Sequence, residues 1–113
     1  MANYVIKFRA IDRSKFEDVV EGRKTIETRA ATPAYQKMKV GDTLDIRCGV
    51  DIIKKRISKV AHYKSVAEVF ASPDFSLILP WAETLAEAEK TYYGFPGYRQ
   101  KIEHYGLIAF TLE

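Results

Sequence analysis

One cysteine, Cys48, stands among 113 residues. It has no partner for an intramolecular disulfide, so the expected compartment is the reducing cytoplasm. Histidine is nearly as scarce. His62 and His104 lie far apart, and neither has a second His or Cys at metal-ligand spacing. The reading is no metal site and no cofactor. Long apolar runs are missing too: Phe75 to Trp81 and Leu107 to Phe110 fall far short of a membrane span, so no membrane partner is expected. The start, Met-Ala-Asn-Tyr-Val-Ile-Lys-Phe, lacks the basic-then-apolar order of a signal peptide and reads as a first strand. There is no phosphate loop, no Gly-x-Gly-x-x-Gly, and no serine in a nucleophile elbow. No repeat, linker or low-complexity tract interrupts residues 1–113, which are expected to form one domain around a single core.

What is present is a globular composition, 47% hydrophobic and 12% aromatic. The net charge of +3 hides an asymmetry. Residues 1–64 carry 15 Lys/Arg against 8 Asp/Glu, and residues 65–113 carry 3 against 7. A basic half suits a polyanion such as nucleic acid; it equally suits a solubilising surface.

Residues 3–8 alternate as a strand with Tyr4, Ile6 and Phe8 on one face. Ser14-Lys15-Phe16-Glu17, Ser65-Val66-Ala67-Glu68 and Thr84-Leu85-Ala86-Glu87 are three capping boxes, each opening a helix. Gly22 supplies a left-handed stop for the first, Ser72-Pro73 ends the second, and Gly94-Phe95-Pro96-Gly97 breaks the third. Further strands are expected at 25–30, 43–47, 52–61 and 106–112, a short turn or helix from Pro33, and another helical turn or two from Tyr98. Leu77 to Trp81 reads as an apolar connector. The order is mixed rather than alternating βαβ. The predicted fold class is α+β: about five strands curled into a small barrel without free sheet edges, flanked by three or more short helices.

The densest polar chemistry is Gly22-Arg23-Lys24-Thr25-Ile26-Glu27-Thr28-Arg29. As a regular strand it puts Thr25, Glu27 and Arg29 on one face and Lys24, Ile26 and Thr28 on the other. A Glu–Arg face suits the wall of a polar cleft, or a structural ion pair. Glu27 is also able to accept from the exocyclic amine of a base. A partly buried Lys24 has a lowered pKa, which frees the neutral amine to act as base or nucleophile; a solvated one is an ordinary strand-end lysine. Tyr92, Tyr93, Phe95, Tyr98 and Tyr105 crowd the C-terminal third behind Trp81. Most of them suit a small core, while Tyr98, in the loop after Pro96-Gly97, suits a ligand. Lys54, Lys55, Arg56 and Lys59 offer either a phosphate track or an edge strand protected from aggregation.

Three segments in order resemble the ASCH domain family, of the PUA-like superfamily, in a small single-domain form. They are the Gly22–Arg29 run after a capped helix, the Val40-Gly41-Asp42 turn before a strand, and the end from Tyr92 to Leu112 with Phe95-Pro96-Gly97-Tyr98 and Tyr105-Gly106-Leu107-Ile108-Ala109. The resemblance covers nearly the whole chain. It implies a small PUA-like β-barrel with a cleft beside the Lys-Thr-x-Glu strand, binding RNA or a nucleoside-like ligand. The ligand-binding residues so implied are Lys24, Thr25, Glu27, Arg29 and Tyr98. Some small family members are amidohydrolases that deacylate N(4)-acetylcytidine with a Lys, a Thr three residues later and a downstream Glu. Lys24 matches the lysine, Glu27 stands in the threonine position, and Glu83 is the nearest downstream acid. The leading expectation is a binding module; the alternative is this hydrolase, with Lys24, Glu27 and Glu83 catalytic. A ribonuclease ranks third.

Overall fold

Two stretches of strand never meet in this molecule, and a cavity opens in the space between them. The computed structural model describes residues 1–113. It has strands β1 (Asn3–Phe8), β2 (Ile26–Ala30), β3 (Thr43–Cys48), β4 (Asp51–Tyr63) and β5 (Leu107–Leu112). The helices are α1 (Arg13–Val20), α2 (Pro33–Gln36), α3 (Val66–Ala71), α4 (Phe75–Ile78), α5 (Leu85–Tyr93) and α6 (Tyr98–Tyr105). The strands form one curled α+β sheet, a half-barrel, in the order β1-β3-β4-β5-β2. β1 runs parallel to β3, and the remaining pairs are antiparallel. β1 and β2 end the sheet and do not pair with each other, so the expected loss of sheet edges does not occur.

The expected single core is in fact two, one on each face of the sheet. α1 delivers Phe16 and Val19 onto Ile6, Leu44, Ile46 and Ile57. On the other face α3–α6 pack Val69, Ile78, Tyr92 and Ile102 against Ile26 and Ala30. β5 serves both: Ile108, Phe110 and Leu112 enter the first cluster, Leu107 and Ala109 the second. A strand buried on both faces has to be apolar at every position rather than alternately, as Leu107 to Phe110 is.

The capping box of α5 is complete, and that of α3 is half made, because the Glu68 carboxylate accepts from the Lys64 amide rather than from Ser65. Ser65 accepts from the Glu68 amide, and Thr84 and Glu87 bond reciprocally. The first expected box is missing: α1 starts at Arg13 behind Asp12, with no side-chain cap from Ser14. Leu77 and Ile78, the start of the expected connector, belong instead to α4, where the Asp74 carbonyl accepts from both.

β4 stands between β3 and β5 in the sheet order, but Asp51–Arg56 pairs only with β3 and Ile57–Tyr63 only with β5, so Lys54 and Lys55 lie on a stretch with one side free of a strand. A register shift between Ile57 and Lys59 breaks its alternation, and both Ile57 and Val60 pack on the first core. Lys54 pairs with Asp45 at 2.7 Å and Arg56 with Glu113 at 2.6 Å. The candidate phosphate track is thus partly neutralised by its own neighbours.

Candidate functional site

Lys24 reaches its position through the turn before β2. Gly22 takes a positive φ of 81°, and the Lys24 amide then donates to the Asp18 carbonyl at the end of α1. Thr25 donates to Leu77 and accepts from Leu112. Because β2 begins only at Ile26, Lys24 does not follow strand alternation. Its side chain folds back, 3% exposed, and Nζ donates to the Ile26 carbonyl at 2.7 Å and to the Ile78 carbonyl. Nζ also lies 3.9 Å from Glu27 Oε1. Burial pulls the Lys24 pKa below the ordinary lysine value, against the pull of Glu27.

Glu27, 4% exposed, is the anion between two cations. Its Oε1 accepts from the Thr28 amide at 3.0 Å and faces Arg29 Nε at 3.7 Å. Its Oε2 is buried with no hydrogen-bond partner. Burial works against the Arg29 charge, but Glu27, Tyr35 and Tyr98 outweigh it and hold the guanidinium above its ordinary pKa. Arg29 also lies over the rings of Phe8 and Tyr35. Thr28 hydrogen-bonds the Tyr92 phenol, whose pKa burial drives well above the ordinary tyrosine value. Burial likewise raises Tyr98, while nearby Arg29 lowers it.

These groups surround a cavity of about 170 Å³ in the gap between the two end strands. β1 and its exit supply Lys7, Phe8 and Arg9, and β2 supplies Glu27, Thr28 and Arg29. Trp81, Phe95 and Tyr98 line it from the helical side. Asp12 bonds Arg9 at 2.7 Å and Lys15 at 2.8 Å. Burial alone would raise the Asp12 pKa, but these two cations hold it below the ordinary carboxylate value. They in turn sit on the aromatics, Arg9 over Phe95 at 5.1 Å and Lys15 over Trp81 at 5.5 Å.

Two solved structures share this architecture. A crystal structure of hypothetical protein PH0355 superposes with a TM-score of 0.84 at 22% identity, over 98% of this chain and 97% of that one. A solution NMR structure of protein PF0455 from Pyrococcus furiosus gives 0.74 at 21% identity, over 99% of this chain and 94% of that one. At these identities the likeness concerns the fold. No family model matches the chain, and no curated protein matches its sequence.

Of the residues singled out in the sequence, Lys24, Glu27, Arg29 and Tyr98 converge on the cavity. Thr25 does not line it; its backbone is bound to Leu77 and Leu112. Glu83 does not line it either and is exposed, its amide donating to Glu87. Thr28, expected to face away, does line it. None of Lys54, Lys55, Arg56 and Lys59 reaches it. Lys7, Arg9, Asp12 and Lys15 were not expected there. The Arg9-x-x-Asp12-x-x-Lys15 spacing is their one sequence signal, since residues three apart meet on a helical turn.

Proposed function

We propose that this chain binds a nucleobase in the cavity between β1 and β2, as a nucleoside-like ligand or within RNA. The observation that carries the reading is Glu27, a buried carboxylate that lines the cavity and whose Oε2 has no hydrogen-bond partner. An acceptor left unpaired in this way costs about 1–3 kcal/mol, which a ligand N–H recovers. The exocyclic amine of a base is such a donor. Size agrees: an apolar cavity of roughly 150 Å³ takes benzene, so about 170 Å³ takes one heterocycle. The Trp81, Phe95 and Tyr98 lining suits a flat ring. The ASCH resemblance points the same way.

Calorimetric titration with cytidine and uridine tests this directly. Cytidine offers an amine where uridine offers a carbonyl, which would face the Glu27 carboxylate. The expected result is cytidine binding at least about tenfold tighter, the size of one hydrogen bond to a charged group. Equal affinities, or no binding of either, would overturn the proposal. For RNA, affinity should fall as salt rises, through counterion release.

A second reading, deacylation of N(4)-acetylcytidine, is favoured by one observation. Thr28 brings a hydroxyl to the same cavity as Lys24, although Glu27 occupies the position where the family's hydrolases carry threonine. Against it, Lys24 already donates to two carbonyls, an arrangement that favours the charged amine over a free base. Release of cytidine from N(4)-acetylcytidine by wild-type protein, lost in Thr28→Val, supports hydrolysis; no release excludes it. A ribonuclease has less support, because neither histidine lines the cavity.

A further inference from the structure

The cavity is charged unevenly, and the imbalance exceeds what a neutral nucleoside needs. Five cations line it, Lys7, Arg9, Lys15, Lys24 and Arg29, against two carboxylates, Asp12 and Glu27. The surplus is three positive charges. Depth separates them into two groups. Lys24 and Glu27 are buried and Arg29 is mostly so, and together they form the inner end with its unpartnered Oε2. Lys7 and Arg9 are exposed and Lys15 is partly so, and they mark the mouth.

At the mouth one carboxylate, Asp12, serves both Arg9 and Lys15. Lys7 has no ion pair, hydrogen bond or aromatic partner, although it lines the same opening. Asp12 fixes the direction of two long side chains, which removes part of the entropy cost of gathering them around a ligand. The outer end thus holds three cations and one anion, while the inner end needs a hydrogen-bond donor.

We infer that the ligand is a nucleotide rather than a nucleoside, with its base on Glu27 and its phosphate at the mouth on Lys7, Arg9 and Lys15. This rests on the base-binding reading for the inner end. Lysine and arginine are the usual partners of phosphate, as point charge and as fork. A phosphate of a free nucleotide and a phosphate of an RNA chain carry the same chemistry here.

The experiment compares cytidine, cytidine monophosphate, ribose 5-phosphate and a short cytidine oligoribonucleotide, at low and high salt. The monophosphate is expected to bind about tenfold tighter than cytidine at low salt, with the advantage shrinking as salt rises. Lys7→Ala should narrow that ratio about threefold or more, and Lys7→Arg should restore it. Lys7 is exposed, so neither variant threatens the fold. An oligonucleotide that binds tighter than the monophosphate assigns the phosphate to a chain; equal affinity assigns it to a free nucleotide. If cytidine and its monophosphate bind alike, or the Lys7→Ala ratio is unchanged, the phosphate inference fails while base binding stands. If ribose 5-phosphate binds as well as the monophosphate, the mouth reading survives and base binding falls.

Discussion

Glu27 decides the electrostatics of the inner cavity, because it is the only carboxylate between the Lys24 and Arg29 charges. Glu27→Gln keeps an acceptor for the Thr28 amide but leaves two buried cations without an anion. Removing one partner of a buried charged group costs about 3–5 kcal/mol. With separations of 3.7–3.9 Å the expectation is the lower end, read as a reduced urea midpoint. An unchanged midpoint would mean that neither Lys24 nor Arg29 depends on the Glu27 charge for stability. Tyr92 supplies a pH signature. Its folded pKa lies above the ordinary value of 10.0, so the phenol's contribution is fully present below pH 10 and is lost as pH rises above it toward the folded pKa. The stability gap between wild type and Tyr92→Phe should therefore shrink above pH 10, in thermal melts from pH 8 to 11. The residue types of this site were legible, since Glu27 and Arg29 announce a polar wall in any strand register. The Lys24 position was not. Strand alternation sends it away from Glu27, and only the turn from Gly22, tied to Asp18, brings it back.

Elements follow their local signals where the backbone geometry leaves one solution. Thr84 and Glu87 close a full capping box, and Thr84→Ala should lower stability by about 1 kcal/mol in denaturant titration. Gly106 joins α6 to β5 at φ 73° and ψ −159°, a region open almost only to glycine. A Cβ there would also lie 2.6 Å from the Tyr63 carbonyl, a backbone atom that has no rotamer to yield. Gly106→Ala should cost about 3 kcal/mol or more, against a far smaller loss for a substitution at an open site. Ser14-x-x-Glu17 shows why a pattern is not a cap. The hydroxyl-x-x-Glu spacing occurs, but the helix begins two residues earlier than that cap requires, and Asp12, held by Arg9 and Lys15, stands at its start. The strands were legible in number and close to their ends. The place of β4 was not, because each half of this long strand pairs with a different neighbour, and its lysine-rich half keeps one side free.

For the whole molecule the ordering β1-β3-β4-β5-β2 leaves β1 and β2 joined by nothing but the cavity they line. A ligand bridging them should slow amide exchange at Phe8, Thr28 and Ala30 while leaving the β3–β4 ladder unchanged, as seen by hydrogen–deuterium exchange. Uniform protection across the sheet would place the ligand elsewhere. The curl of the sheet and most of the helices were readable from pattern alone; α4 and the gap were not, the gap because closure depends on a pairing between strands that no local sequence encodes. The pairing scheme also sets an order of assembly. β3 and β4 are joined by a two-residue turn and meet early, at little loop-closure cost. β1 waits for β3, about forty residues on, and β2 waits for β5, with Ile26 opposite Thr111. The strand that carries Glu27 thus finds its neighbour only after the rest of the sheet's sequence has been made. Any nascent or shortened chain lacking β5 leaves the Glu27 strand without its one pairing partner, and so has no place for a ligand.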